Sequence, residues 1–242
     1  MSDATERQQA LPRKFYQKAA AVQEGDVWRI ELDGRPVKTF EKASLTLPTE
    51  AFAGLVASEW NAQGDRIDPI SMPLTRLANV AIDRTPDTRD ALAAEVGKYT
   101  ETDLVCHLAE GPAALRERQD AAWGPLRVWA GQALGVVLVP VEGIIASPQP
   151  PASMQAARDH ALGLDDFRLT GLAWACGLYG SAVLALAVER GELDAVAAFE
   201  ISRIDEIWQI EQWGEDAEAM AAVEARRADA RAIGQLFAAL PR

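Results

Sequence analysis

The segment SRIDEIWQIEQWGED, at Ser202–Asp216, combines carboxylates with large apolar side chains at helical spacing. At about 100° per residue, an α-helix places Glu206 between Ile210 and Trp213. Glu211 falls within the main apolar stripe of the same helix. A carboxylate in such a position can perform acid–base chemistry, form an internal ion pair or orient a binding partner. The segment is therefore the first candidate for a functional site.

Both Glu206 and Glu211 need a partner if they are buried, because burying an unpaired acid costs several kcal/mol. Two alternatives remain open. In the first, each acid forms an internal salt bridge with an arginine, for which the candidates are Arg76, Arg84, Arg168 and Arg203. In the second, the acids lie at the edge of an exposed apolar patch, where aromatic area supplies affinity and a carboxylate fixes the register of a partner.

Other residue types give little support for catalysis. The two histidines, His107 and His160, have no second ligand at metal spacing, and Cys106 beside His107 cannot easily direct both side chains at one ion. The stretch GLYGS lacks the lysine of a phosphate-binding loop, and no GxSxG nucleophile elbow occurs. We therefore predict no catalytic residue, no metal site and no cofactor.

Composition narrows the class of protein. The 242 residues are 49% hydrophobic, which predicts a globular protein with a substantial core. A formal charge of −12 leaves no basic stripe for phosphates or anionic lipid, so we expect no nucleic-acid partner. Cys106 and Cys176 in apolar context favour buried thiols in a reducing compartment. The N-terminal stretch resembles neither a signal nor a transit peptide, so we expect a bacterial cytoplasmic protein.

The segment Leu169–Val188 has no charged residue and reaches the length of a membrane span. Much of it is alanine, glycine and serine, which gain little from transfer into lipid. Gly171, Gly177 and Gly180 would allow close packing against other helices. We therefore predict a buried bundle helix and no membrane insertion.

The elements that position these residues follow from the pattern of the whole chain. Alternating apolar residues over Phe15–Leu47, with a tight turn at Asp33–Gly34, predict a small antiparallel meander. Helical spacing then begins after Thr49, a candidate N-cap, and again near Pro73, and these two helices can cover the sheet.

Beyond this point helices dominate. They are predicted at about 88–99, 113–134, 152–162, 167–190, 194–213 and 215–239. Leu104–Leu108 and Val136–Val139 could add edge strands to the sheet. The predicted fold class is α+β, with a β-rich N-terminal domain and covering helices over residues 1–88 and a larger, all-helical domain over residues 89–242.

Several blocks of the sequence, taken in order, resemble the F-type ATPase assembly chaperones, the ATP-twelve family. They are DGRPVKT (33–39), ASEWNAQGDRIDP (57–69), MPLTRLANVAID (72–83), TDLVCHLAEGP (102–112) and SRIDEIWQIEQWGED (202–216). The resemblance covers nearly the whole chain from Phe15 onward. It departs from the family at Asn61, where an acid is usual, and at Ile207, where a third acid can follow Asp205 and Glu206.

The resemblance implies a non-enzymatic, ATP-independent chaperone without a small-molecule cofactor. Members of the family bind the unassembled α subunit of F-type ATP synthase until the β subunit replaces the chaperone. Eukaryotic relatives are expected in the mitochondrial matrix, and the lack of a targeting extension here favours a bacterial relative.

Carried over by position, the family's functional acid falls on Glu206, next to Asp205 and in the same block as Gln209 and Trp213. The helical position of Glu211 adds it to this set. Trp60 is the last candidate, because its spacing with Phe52 and Val56 favours a core role over a partner contact. The partner-binding candidates are thus Glu206, Asp205, Trp213, Gln209, Glu211 and Trp60. The alternative is an enzyme or small-molecule binder that uses paired carboxylates in an interdomain cleft.

Overall fold

The computed structural model describes residues 11–143, 147–214 and 217–241, so the last two residues of the Ser202–Asp216 segment lie outside it. Contacts divide the chain into two compact units. The first comprises the described residues up to Pro86 together with Ala238–Pro241, and the second comprises Asp87–Phe237. The domain boundary between residues 88 and 89 stays a prediction.

The first unit contains a small antiparallel sheet. Its strands are β1 Ala19–Glu24, β2 Val27–Leu32, β3 Arg35–Pro36 and β4 Thr46–Leu47. β2 pairs with β1 along one edge and with β3 and β4 along the other. Asp33 and Gly34 join β2 to β3 with φ values of 48° and 79°, the positive pair that a type I′ turn requires. The predicted meander and its turn are confirmed.

Two helices complete the first unit, α1 at Glu50–Asn61 and α2 at Pro73–Asp83. Thr49 caps α1, because its Oγ1 accepts the Phe52 N–H at 3.1 Å. The same hydroxyl donates to the Ala239 carbonyl at 2.7 Å, which ties the returning end of the chain to the start of α1. α1 packs across β1 and β2 and buries Phe52 completely.

The chain after Arg84 is mainly helical. Its helices are α3 Thr85–Glu101, α4 Ala113–Leu134, α5 Pro151–Leu162, α6 Asp166–Tyr179, α7 Ala182–Arg190, α8 Ala195–Ser202, α9 Ile204–Trp213 and α10 Ala217–Ala239. The α+β class is confirmed, with one addition to the all-helical second domain: β5 His107–Leu108 and β6 Val141–Glu142 pair in parallel as a separate two-stranded sheet.

The two predicted edge strands do not join the first sheet. Leu104–Cys106 forms a short 3-10 helix, because Asp103 caps it by accepting the Val105 N–H at 3.2 Å. Around Val139 the amide side chain of Gln149 takes the place of a neighbouring strand. It donates to the Val139 carbonyl at 2.9 Å and accepts the Val139 N–H at 2.8 Å. The last two residues of the first segment, His107 and Leu108, pair with Val141–Glu142 instead of with the first sheet.

The uncharged segment Leu169–Val188 is buried as predicted, but it is not one helix. α6 ends at Gly180, whose φ of 66° is the left-handed value that terminates a helix. Ser181 then caps α7 by accepting the Leu184 N–H at 3.0 Å. Within the described ranges, no helix is long and apolar enough to cross a membrane.

Close packing in the second unit depends on Gly171 of α6 and on Trp123 of α4. A Cβ on Gly171 would collide with Leu236 Cδ2 and lie 3.2 Å from the Phe237 ring, so this glycine lets α6 approach α10. Trp123 of α4 is fully buried, and its Nε1 donates to the Ile201 carbonyl at 2.9 Å. This bond fixes the end of α8, where the candidate segment begins.

Candidate functional site

The candidate segment is carried by α9, which starts after a break in the chain. The predicted helix over 194–213 is interrupted at Arg203, whose φ of −113° and ψ of 21° separate α8 from α9. Ile204 is buried and anchors the first turn of α9, and the helix packs against α4. Gly214, with φ of 93°, ends the helix directly after Trp213. α9 is thus fixed at its first turn.

Arg203 and Glu206 form an ion pair across the first turn of α9. Arg203 Nε donates to Glu206 Oε2 at 2.7 Å. The guanidinium is buried and stacks over the Phe199 ring at 5.4 Å, whereas 57% of the Glu206 side chain is exposed. Glu206 therefore has an internal partner and still presents its carboxylate to solvent.

Asp205 is held from α4 by a side chain that sequence analysis did not single out. Gln119 is fully buried, and its Nε2 donates to Asp205 Oδ1 at 2.6 Å. The amide oxygen of Gln119 accepts the Ala109 N–H at 2.8 Å, so the orientation of the amide is set on both sides. Asp205 thus fixes the position of α9 on α4. The sequence signal for Gln119 was its spacing from Leu115 and Trp123, which places a polar residue on the buried face of α4.

Glu211 pairs with an arginine outside the predicted set. Arg118 Nη1 of α4 donates to both carboxylate oxygens of Glu211, at 2.9 and 3.0 Å. Both side chains are partly exposed. Of the arginines considered from the sequence, Arg84 pairs with Glu41 and Arg168 with Glu189. Of the two alternatives left open for Glu211, the structure shows a salt bridge, with an arginine outside the proposed set and with both side chains partly exposed.

The outer face of α9 is apolar and incompletely covered. Ile207, Trp208 and Ile210 are half-buried, and Gln209 is exposed. Trp213 is 79% exposed at the end of the helix. An exposed indole beside half-buried aliphatic residues and two accessible carboxylates has the composition of a protein-binding surface. We refer to these residues, from Asp205 to Trp213, as the α9 surface.

Comparisons with known proteins identify the family to which this chain belongs. Residues 13–131 match the family model described as ATP12 chaperone protein. The crystal structure of Atp12 from Paracoccus denitrificans is 41% identical, with a TM-score of 0.86, and the match covers 94% of this chain and 97% of that one. The chain belongs to the ATP12 chaperone family.

Two further solved structures agree with this family assignment. A variant of the Paracoccus protein, in which lysine replaces one aspartate, gives the same identity, coverage and TM-score. A candidate chaperone from Agrobacterium tumefaciens is 33% identical, with a TM-score of 0.90, and the match covers 99% of this chain and 92% of that one. The family likeness thus extends past residue 131 and includes the part of the chain that contains the α9 surface.

In this ATP12-family chain, Trp60 belongs to the first unit, where it is partly buried and packs against the core. Its ring packs against a cluster that includes Tyr16 and Met72, and the Tyr16 ring meets it edge-on at 5.7 Å. The next residue, Asn61, closes the edge of β1. Its Nδ2 donates to the Ala19 carbonyl at 2.9 Å, and its Oδ1 accepts the Ala19 N–H at 2.8 Å. The departure from the usual acid at Asn61 therefore has a structural role, and a partner contact at Trp60 stays a prediction.

Metal and thiol chemistry gain no support from the residues described. No group of three or more histidine, cysteine or acidic side chains among them is placed to hold a metal ion. Burial raises the pKa of the Cys106 thiol to about 12 and that of Cys176 well above its usual value. Both cysteines are therefore protonated at neutral pH and unreactive.

The carboxylates of the α9 surface are held apart by their partners. Asp205 binds Gln119, Glu206 binds Arg203 and Glu211 binds Arg118. Acid–base catalysis by a pair needs two carboxyl groups converging on one substrate. The arrangement on α9 instead presents separate, individually oriented charges on one helix, which suits recognition of another protein.

Proposed function

We propose that this chain is a non-enzymatic assembly chaperone for F-type ATP synthase. It binds the unassembled α subunit and shields its exposed interface until the β subunit replaces it. Family membership supports a chaperone role, and the α9 surface supplies the single observation that carries the proposal: an exposed tryptophan and oriented carboxylates on an incompletely buried apolar helix. We place this activity in the bacterial cytoplasm.

The character of the α9 surface fits a partner that must later be released. Ile207, Trp208 and Ile210 are already half-buried, so binding removes only part of their area from water. Affinity then depends on a few anchors, chiefly Trp213, and on charges that set orientation. A permanent interface would be larger and more uniformly apolar. The α9 surface is thus suited to a temporary cover.

The acids of the α9 surface have different roles in this proposal. Asp205 is a positioning residue, because the buried Gln119 binds it and so fixes α9 on α4. Glu206 and Glu211 are the accessible charges that meet cationic side chains of the α subunit. Their own arginines hold each carboxylate in one orientation before binding, which reduces the entropy lost on association.

The test is the affinity of the purified chain for purified ATP synthase α subunit, measured by isothermal titration calorimetry. Trp213→Ala should weaken binding by at least about tenfold, since central aromatic anchors contribute about 2 kcal/mol or more. Phe40→Ala is the matched control, because Phe40 is equally exposed in the other unit. Equal affinities for wild type and Trp213→Ala would exclude the α9 surface as the site.

A substitution that tests the Glu206 carboxylate must keep a hydrogen-bond acceptor for Arg203. Glu206→Lys would place a second cation beside a buried guanidinium and would confuse loss of binding with loss of stability. Glu206→Gln keeps an acceptor for Arg203 and removes only the charge. We expect weaker α-subunit binding with a small fall in melting temperature, because the buried Arg203 loses its counter-charge but keeps an acceptor. Glu192→Gln, an exposed acid of the same unit, should bind as wild type.

A further inference from the structure

An open groove of about 600 Å³ lies on the first unit, between the start of the described chain and the turn that joins β2 to β3. One wall is aromatic. The Phe15 ring meets Tyr16 edge-on at 5.5 Å, and Tyr16 in turn meets Trp60 at 5.7 Å. Val37 packs on the same cluster. Phe15 is 75% exposed beside the buried Tyr16, so within the described part of the chain its ring is an exposed aromatic surface.

The rim of the groove is cationic. Arg35 and Lys38 line it and are exposed, and neither forms an ion pair with any residue that the structure describes. The carboxylate that lines the groove, Asp33, is already engaged. It accepts the N–H groups of Gln17 and Lys18, both at 2.9 Å, and these bonds lower its pKa. Arg35 also interacts electrostatically with Asp33 and lowers its pKa, so the lining of the groove keeps one more cation than it has carboxylates.

This positive character continues next to the groove. A neighbouring cavity shares Tyr16 and is lined by three cations, Arg13, Lys14 and Arg66, and by one acid, Asp65. Lys14 Nζ lies 5.0 Å above the Tyr16 ring and donates to the Gln63 carbonyl at 2.9 Å. Residues 11–86 hold equal numbers of acidic and basic side chains, whereas the chain as a whole has a charge of −12. The aromatic groove, whose lining holds more cations than acids, thus lies in a part of the chain without the net negative charge of the whole.

We propose that this groove binds an extended acidic segment of a partner protein. Its carboxylates meet Arg35 and Lys38, and an aromatic or aliphatic side chain between them packs on Phe15 and Trp60. Nucleic acid fits less well, because its evenly spaced phosphates need a longer row of cations than Arg35 and Lys38 supply. Pro36 supplies no N–H at the β3 edge, so side-chain contacts rather than strand addition give the affinity. This site lies in a different unit from the α9 surface and does not depend on the α-subunit proposal.

The test uses a fluorescein-labelled peptide of about ten residues in which glutamate alternates with phenylalanine and leucine. Binding to the full chain is followed by fluorescence anisotropy. We expect saturable binding that weakens at least about tenfold in the double variant Arg35→Glu/Lys38→Glu and severalfold in Phe15→Ala. Lys18→Glu/Lys42→Glu is the matched control, since it makes the same charge change at exposed positions that do not line the groove.

Three results would overturn the proposal. The first is an absence of saturable binding by wild type, and the second is equal affinity of wild type and Arg35→Glu/Lys38→Glu. The third is equal affinity for an analogue in which glutamine replaces every glutamate. Sedimentation of the chain without peptide adds a separate check. A dimer that Arg35→Glu/Lys38→Glu dissociates and the control double variant keeps would assign the groove to a second copy of this chain.

Discussion

Asn61 acts in the first unit as a substitute for a strand. Both amide atoms bind the backbone of Ala19, as two groups of a neighbouring strand would. A carboxylate at this position could accept the Ala19 N–H but could not donate to its carbonyl. The side-chain amide therefore protects the edge of β1, which an acid at this position would leave partly unpaired.

The variant Asn61→Asp tests this role. We expect a loss of about 0.5–1.5 kcal/mol in the free energy of unfolding at pH 7, because one hydrogen bond is replaced by repulsion between a carboxylate and a carbonyl. Urea unfolding measures the loss. The deficit should shrink below pH 4, where a protonated carboxyl can donate again. A deficit that is constant with pH would contradict the donor role.

Asp103 makes stability depend on pH in the second unit. Burial raises its pKa from 3.8 to about 6, although N–H groups and the Ser181 hydroxyl oppose the shift. A raised pKa means that the folded state binds the proton more tightly than the unfolded state. The contribution of Asp103 to the free energy of unfolding is largest below about pH 4. It falls by about 2–3 kcal/mol as the pH rises through 6.

The variant Asp103→Asn removes this dependence. The unfolding free energy of wild type minus that of the variant should fall between pH 4 and pH 7 in urea titrations. Asp33→Asn is the control with the opposite sign, because backbone N–H groups lower the pKa of Asp33 and the corresponding difference should rise over the acidic range. A flat difference for Asp103 would show that folding does not raise the pKa of its carboxyl.

The arginines that pair with Glu206 and Glu211 were the least predictable part of the α9 surface. Helical spacing placed Glu206 and Glu211 among apolar residues and required a partner for each. Arg203 could be proposed for Glu206 because it lies one turn away on the same segment. Arg118 could not be chosen for Glu211, because that contact depends on how α4 packs against α9. Local geometry is encoded by spacing, whereas partners across helices depend on the tertiary fold.

At the scale of elements, Gly171 and Gly177 of α6 differ in what surrounds them. A methyl group on Gly171 would collide with Leu236 and crowd Phe237, whereas at Gly177 the nearest atom is the Tyr99 hydroxyl at 3.5 Å. We expect Gly171→Ala to lose about 1–3 kcal/mol through overpacking. Gly177→Ala should gain up to about 1 kcal/mol through helix propensity. Thermal and urea unfolding of the pair measure the difference, and equal stability would contradict close packing of α6 on α10.

The two unexpected helix breaks have different causes. Between α6 and α7, Gly180 favours the end of one helix and Ser181 the beginning of the next. The sequence therefore indicated a break, but the continuous apolar pattern favoured a single predicted helix. Between α8 and α9, the side chain of Arg203 makes no capping hydrogen bond. Its position follows from stacking on Phe199 and from pairing with Glu206, which only the folded chain provides.

At the scale of the whole molecule, the α+β class followed from the change of period after Thr49. The return of the chain to the first unit had no local signal, because an alanine-rich helix end can pack in many places. Ala239 and Leu240 are buried in the first unit, and the Thr49 hydroxyl binds the Ala239 carbonyl. The first unit is therefore built from both ends of the described chain.

Removal of the chain from Ala238 onward should therefore destabilise the first unit. Losing the buried Leu240 side chain alone should cost about 2–3 kcal/mol. Hydrogen exchange followed by mass spectrometry should show faster exchange in β1 and β2, and Leu240→Ala should reproduce part of the effect. Unchanged exchange in β1 and β2 after truncation would show that the returning residues add nothing to the sheet.

The same returning residues set an order on biosynthesis. A ribosome releases the β-rich unit first, but Ala238–Pro241 emerge only after the entire helical unit has been made. The contacts that Ala239 and Leu240 make in the first unit therefore cannot form until the intervening helices have been synthesised. Because α10 passes directly from the second unit into the returning residues, both units become complete together, at the end of translation.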